Sequence, residues 1–239
     1  YNIGYWFWEL AQFPAQWNDA FETYDEIWVG TDFVREAVQA NTNKLVTCMP
    51  VAIDVPLPEN ASRRQFGLPE DSFLVLVTFD ALSIVERKNP WGAIEAFRRA
   101  FTERERGHSA HLVVKVNNLD LVPEGMRLRE AVRDVNGILI ENYLHRLEVN
   151  ALINLCDTYL SMHRSEGFGL GMAEAMFLGK PTIATAYSGN VDFMKPDNSY
   201  LVPYQLVELG QPYPPYEAHN VWAEPDVDAA AAHLRAVFD

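Results

Sequence analysis

Cysteine, positive charge and long apolar runs are all scarce in this chain. Its 239 residues hold two cysteines, Cys48 and Cys156. They lie far apart and outside any Cys-x-x-Cys spacing, so neither a zinc site nor a disulfide framework is indicated, and a reducing, cytoplasmic setting is expected. Lysine and arginine number 19 against 33 aspartates and glutamates, a formal charge of -14. That balance argues against nucleic acid as a bulk partner and against a polybasic membrane patch. The longest apolar runs, such as Phe73 to Phe79, fall far short of the roughly 20 residues a membrane-spanning helix needs. No transmembrane segment is expected. Internal repeats are absent, and low complexity is confined to Ala229 to Ala232.

What is present is a composition of 49% hydrophobic and 22% charged residues, enough to bury a full core and to form one domain and part of another. The chain opens Tyr-Asn-Ile-Gly-Tyr-Trp-Phe-Trp, with no basic n-region and no cleavage-type small residues. Asn2 to Phe7 are strand-like, Pro14 to Tyr24 carry apolar residues at helical spacing, Glu26 to Asp32 read as a strand ending in a helix cap, and Phe33 to Gln39 as a helix. The numbering is therefore expected to begin inside a longer protein.

From Phe73 onward strands and helices alternate, the pattern of a doubly wound parallel sheet. The expected strands are Phe73 to Phe79, Ala110 to Val116, Gly137 to Glu141, Thr158 to Met162 and Pro181 to Thr185. Helices fill the gaps at Trp91 to Arg106, Met126 to Val135, Leu147 to Leu155 and Met172 to Leu178, while Gln211 to Tyr216 reads as an irregular surface loop.

The densest chemistry lies in His163-Arg164-Ser165-Glu166-Gly167-Phe168-Gly169-Leu170-Gly171-Met172-Ala173-Glu174. Alternating glycines at a strand-to-helix junction place backbone N–H groups, which lack intrahelical partners, where an anion can approach closely. A diphosphate fits that cradle. The carboxylates of Glu166 and Glu174 repel phosphate and so must be aimed elsewhere on the same ligand; sugar hydroxyls are the natural target, since a carboxylate accepts strong hydrogen bonds from them. The ligand implied is a nucleotide-sugar. A lone pair of glutamates would equally read as solvated charges beside a turn, and it is Gly-Phe-Gly with the following Gly-Lys-Pro-Thr-Ile-Ala that tips the reading.

At these residues the chain resembles the retaining glycosyltransferases of family 4, also called group 1. Their signature is Glu, seven residues, Glu, with a Gly-Phe-Gly turn after the first. The resemblance runs from Asp25 to Asp228 and is strongest at Met162 to Ser188. It implies an α/β chain of GT-B type: a doubly wound, parallel-sheet, Rossmann-like C-terminal domain with the end of a second Rossmann-like N-terminal domain. Residues 1–45 would end the acceptor-side N-terminal domain, truncated here, 46–60 would be the interdomain linker, and 61–239 the nucleotide-sugar-binding domain.

By the same resemblance Glu166 contacts the donor sugar, Glu174 the ribose, and Gly167, Phe168, Gly169 and Leu170 lie near the sugar and its phosphates. Lys88 matches the family's lysine that meets the leaving diphosphate, although it precedes Asn89 where the family has glycine. The assisting arginine of the family is replaced by Ser83, so Arg87 is expected to substitute. A solvated Arg-Lys pair capping a loop is the plainer alternative. Fixed cations there would stabilise a leaving group as it gains charge. Tyr143 and Leu144 fall where the family lays the nucleobase, and Ser188 and Gly189 resemble its small-residue turn facing the sugar. Lys115 reads as a flanking charge, and His163 and Arg164 as residues that orient Glu166.

The implied activity is retaining, metal-independent glycosyl transfer from a GDP- or UDP-sugar to a saccharide or lipid-linked glycan acceptor, in polysaccharide or glycoconjugate synthesis. The nucleotide-sugar is a substrate, and no cofactor is called for. Asp226-Val-Asp228, the one Asp-x-Asp in the chain, reads as a helix start. Two alternatives stay open: a GT-B nucleotide-sugar 2-epimerase, and a non-catalytic nucleotide-sugar-binding fragment. Peripheral membrane association through regions outside this chain also stays open.

Overall fold

A computed structural model describes all residues from Tyr1 to Asp239. Strands β1 (Ile3–Trp6), β2 (Glu26–Val29) and β3 (Leu45–Cys48) form a parallel three-stranded sheet in the order β1-β2-β3. Helix α1 (Asp32–Gln39) follows β2. Its N-cap is Thr31, one residue before the aspartate expected there, and the Thr31 hydroxyl accepts the Val34 N–H. Residues Ala15–Thr23 form a 3-10 helix where helical spacing was read. Strand β3 takes in residues 46–48 of the segment read as linker.

The larger sheet has six parallel strands: β4 (Phe73–Asp80), β5 (Ala110–Asn117), β6 (Ile138–Ile140), β7 (Thr158–Ser161), β8 (Thr182–Thr185) and β9 (Tyr200–Val202). Their spatial order is β6-β5-β4-β7-β8-β9. The chain winds outward from β4 through β5 to β6, then returns to lay β7 on the other side of β4. The strand order thus reverses between β4 and β7, and the crevice beyond the carboxyl ends of those strands is where such sheets bind ligands.

Alternation along β4 explains why both faces are covered. Val75, Val77 and Phe79 join one apolar cluster with helices α3 (Pro90–Ala100), α4 (Gly125–Asp134) and α7 (Val227–Phe238), while Leu74 and Leu76 join another with α5 (Arg146–Leu155) and α6 (Leu170–Phe177). The short helix α2 (Val85–Lys88) leads directly into α3. Helix α3 stops at Ala100, six residues before the end expected: Phe101 turns extended, and the Glu105 carboxylate takes the Thr102 N–H and hydroxyl to start a new turn. Asp226 caps α7 by accepting from the Asp228 and Ala229 N–H groups, in keeping with the reading of Asp226-Val-Asp228 as a helix start.

Strand β9 and an antiparallel hairpin of β10 (Tyr204–Glu208) and β11 (Val221–Pro225) were not foreseen. Nor is the loop Gln211 to Tyr216 merely superficial, because Tyr216 is buried. With Leu209 and Trp222 it enters the aromatic cluster of the first sheet, where Trp8 meets Tyr216 edge-on at 5.3 Å. The hairpin therefore fastens the small sheet to the large one. No helix is long and apolar enough to cross a membrane.

Phe97, fully buried on α3 and 4.9 Å from the Phe101 ring, anchors the larger cluster. Phe97→Ala is expected to lower unfolding stability by about 3–5 kcal/mol in urea titration; a loss under about 1 kcal/mol would contradict that placement.

Candidate functional site

The crevice between β4 and β7 holds a cavity of about 240 Å³ lined by Thr78, Phe79, Lys88, Tyr159, Ser161, Glu166, Gly169, Leu170, Gly171 and Met172, with Val77 behind. Strands β4 and β7 supply one side of it, and Glu166 with the start of α6 the other. Helix α6 begins after Gly169, which adopts φ +94°, a conformation open to glycine at little cost. The N–H groups of Leu170 and Gly171 make no hydrogen bond within the protein. They open toward the cavity with the positive end of the helix dipole.

Glu166 lies at the centre. Lys88 Nζ is in direct contact with its Oε1, and Arg87 Nη1 stands 3.4 Å from Oε2. Its side chain is 13% exposed. Burial pushes the carboxyl up, but Lys88, then Arg87 and His163, outweigh it and hold the group down at about 2. The site thus presents a fixed carboxylate beside a lysine with donors to spare.

Arg87 and Lys88 divide the work between them. Lys88 reaches the cavity; Arg87 is almost wholly buried behind Glu166, donating to the Ser165 carbonyl at 2.9 Å. Both sit on α2, which follows Ile84 at φ +63°. A β-branched residue in that region is strained by about 1–3 kcal/mol.

The loop itself is clamped. Glu166 N–H donates to Ser188 Oγ and Gly189 N–H donates to the Glu166 carbonyl, both at 2.8 Å. Ser188 holds φ +77°, ψ -150°, a region normally left to glycine. A Cβ on Gly189 would lie 2.1 Å from the Gly167 carbonyl oxygen, and one on Gly167 would lie 2.5 Å from that of Trp8. From the segments that follow β2 and β1, Thr31 donates to the Gly167 carbonyl at 2.7 Å and the Glu9 carbonyl accepts from the Ser165 hydroxyl.

Glu174 sits in α6, 2% exposed, and its Oε1 is held by Arg146 at the start of α5. Glu174 does not line the cavity, although both it and Glu166 act electrostatically on the buried Tyr159 hydroxyl. Phe168 packs on Phe193 with ring centroids 5.2 Å apart. Tyr143 is 75% exposed, edge-on to His145, while Leu144 is buried in the core. Neither reaches the cavity.

Three further readings change. Lys115 is no flanking charge: it is buried, its ammonium donating to Asn117 Oδ1 at 2.6 Å, and burial lowers its pKa. His163 makes no hydrogen bond to Glu166. Its Nδ1 accepts from Ser161 at 2.9 Å, and its Nε2 faces the Tyr187 carbonyl and Asn190 Oδ1; burial pushes the imidazole down. Arg164 turns away to Glu224 of the hairpin at 2.6 Å. Sequence reasoning missed Arg146, Thr31, Trp8 and Glu9, whose partners lie 28 to 159 positions away and leave no local spacing signal.

A family model described as glycosyl transferases group 1 matches residues 76–209, more than half of the chain. The chain belongs to that family. Among curated relatives of this group 1 glycosyltransferase chain, the trehalose synthase of Pyrococcus horikoshii is 32% identical over 168 residues, covering 63% of this chain and 39% of the relative. That of Thermococcus litoralis is 29% identical over 206 residues, covering 79% and 46%. The chain thus spans less than half the length of these relatives. A solved glycosyltransferase from Rickettsia africae superposes with TM-score 0.70 at 14% identity, over 99% of this chain and 60% of that one. The pneumococcal O-GlcNAc transferase GtfA, solved with UDP and GlcNAc, gives TM-score 0.66 at 16% identity, over 99% and 45%. These likenesses establish the Rossmann-like, GT-B type fold.

The ion pairs set a pH dependence. Because the folded carboxyl of Glu166 titrates below its ordinary value of 4.5, its contribution is fully present above that value and is lost as pH falls toward about 2. Glu166→Gln, which leaves Lys88 and Arg87 facing a neutral amide, is expected to be less stable than wild type at neutral pH and to converge with it on acidification, read from urea midpoints. A gap independent of pH would contradict the pairing.

Proposed function

We propose that this chain is the donor-binding part of a retaining glycosyltransferase that moves a glycosyl unit from a GDP- or UDP-sugar to a saccharide or lipid-linked glycan. The observation that carries the reading is the convergence, at the strand-order reversal, of a free helix N-terminus, Lys88 and the ionised Glu166. In this reading the diphosphate lies against the Leu170 and Gly171 amides and Lys88. As the glycosidic bond breaks, charge gathers on the leaving nucleoside diphosphate, and these preorganised groups favour the transition state over the ground state.

Glu166 is the hydrogen-bond acceptor for donor-sugar hydroxyls. With its carboxyl held at about 2, it is a poor general acid, which sets it apart from the paired carboxyls of glycoside hydrolysis, where the acid's pKa is raised. Its charge also favours the oxocarbenium-like centre of a same-face substitution. Arg87 holds Glu166 from behind, so its role is positioning. Gly167, Phe168 and Gly169 shape the turn, Ser188 and Gly189 hold Glu166 in place, Glu174 takes the ribose, and the segment at Tyr143 and Leu144 flanks the base. Residues 1–45, 46–60 and 61–239 are proposed as the end of the acceptor-side domain, the linker and the donor domain. That curated relatives are trehalose synthases supports a saccharide product, and the GtfA structure with UDP and GlcNAc supports a nucleotide-sugar donor. Because the chain spans less than half of those relatives, transfer is assigned to the whole enzyme and donor binding to this part.

Calorimetric titration with UDP, GDP, ADP and dTDP, then with the matching sugar donors, tests the reading. One nucleotide is expected to saturate the chain. Glu174→Ala should weaken nucleotide and donor alike by about tenfold or more, and Glu166→Ala mainly the donor. Equal losses for both variants would contradict the assigned roles. Lys88→Ala should weaken diphosphate binding and, in the whole enzyme, lower kcat; an unchanged kcat would remove Lys88 from the leaving-group role.

A further inference from the structure

Glu174 is 2% exposed, yet its partner Arg146 has a half-exposed side chain. Of the two, it is the Arg146 guanidinium that solvent reaches. Arg146 is also the first residue of α5, where a cation opposes the helix dipole. Nothing in α5 itself accounts for an arginine there, and the contact with Glu174 does.

The pair is also incomplete in a particular way. Arg146 Nη2 contacts Glu174 Oε1, whereas Oε2 of Glu174 and the Nε and Nη1 groups of Arg146 take part in no other hydrogen bond in the protein. The pair thus keeps one acceptor and several donors without a protein partner. A vicinal diol is their complement: one hydroxyl donates to the carboxylate oxygen while its neighbour accepts from the guanidinium.

We propose that Arg146 is a specificity-determining residue of the donor site, reading the ribose diol jointly with Glu174. This rests on the nucleotide-sugar reading of the site. The guanidinium keeps Glu174 in one orientation and takes one ribose hydroxyl itself, so loss of either hydroxyl leaves a charged partner unmet. The dyad selects ribonucleotides over 2′-deoxyribonucleotides.

The test compares binding of UDP and GDP with that of their 2′-deoxy forms, by calorimetry, in wild type, Arg146→Ala and Arg146→Lys, with thermal melting to confirm folding. Wild type should prefer the ribonucleotide by about tenfold or more. In Arg146→Ala that preference should shrink toward unity through a loss confined mainly to the ribonucleotide, and Arg146→Lys, which keeps the charge without the fork, should recover it in part. If Arg146 only braces Glu174 or the fold, both sugars weaken equally and the preference is unchanged, which overturns the proposal. Tighter ribonucleotide binding in Arg146→Ala would overturn it too, showing that the arginine blocks the site. Wild type that binds neither nucleotide would overturn the donor reading and the dyad together, whereas wild type that binds without ribose preference overturns the dyad alone.

Discussion

The rest of the site depends on one buried carboxylate held between two cations. Glu166 contacts Lys88 and lies 3.4 Å from Arg87, and both cations come from a single short helix at the end of the neighbouring strand's loop. Without them, burial would drive the carboxyl toward neutrality; with them it stays charged well below neutral pH. The pairing joins the loop after β4 to the loop after β7, so the same contact that ionises Glu166 also closes the crevice at the strand-order reversal. Breaking a pair of this kind leaves a desolvated charge, which is why it constrains its surroundings so firmly.

Those surroundings are shaped around backbone. The turn carrying Glu166 is pressed between the Trp8 carbonyl and the Ser188-Gly189 turn, too tightly for a Cβ at Gly167 or Gly189. Thr31 and Glu9, in the segments that follow β2 and β1, and Arg164 through the hairpin fix it from outside. Strained conformations at Ile84 and Ser188 flank the two halves of the ion pair. Strain persists where packing overdetermines the chain: Ile84 packs on the aromatic cluster of Trp8, Tyr216 and Trp222, and the Ser188-Gly189 turn is held by its hydrogen bonds to Glu166. Contacts from both parts of the fold thus converge on the turn that leads into α6.

Much of this was legible in the sequence, for reasons that particular residues make plain. The run Phe73 to Phe79 is apolar on both alternating faces because helices cover both sides of β4, and glycines mark the loop because backbone approaches backbone there. Lys88 and Glu166, 78 positions apart, could be assigned to one site through the family resemblance, although their direct pairing was not foreseen. What escaped was set by tertiary partners. The hairpin was decided by docking on the first sheet, the burial of Lys115 by packing around β5, and Arg146 by a glutamate on another helix. Local propensity carries no trace of such contacts. The end of α3 is the exception, fixed by Glu105 bonding Thr102 only three residues away, a Thr-x-x-Glu pattern that the sequence does carry.

The most direct test of the central claim is amide chemical-shift mapping of the ¹⁵N-labelled chain during titration with UDP or GDP. The account predicts that the largest shifts fall on Leu170 and Gly171 at the start of α6, with further shifts on the segments bearing Lys88 and Glu166. Saturable binding that leaves those amides unmoved, with shifts elsewhere on the molecule, would contradict it.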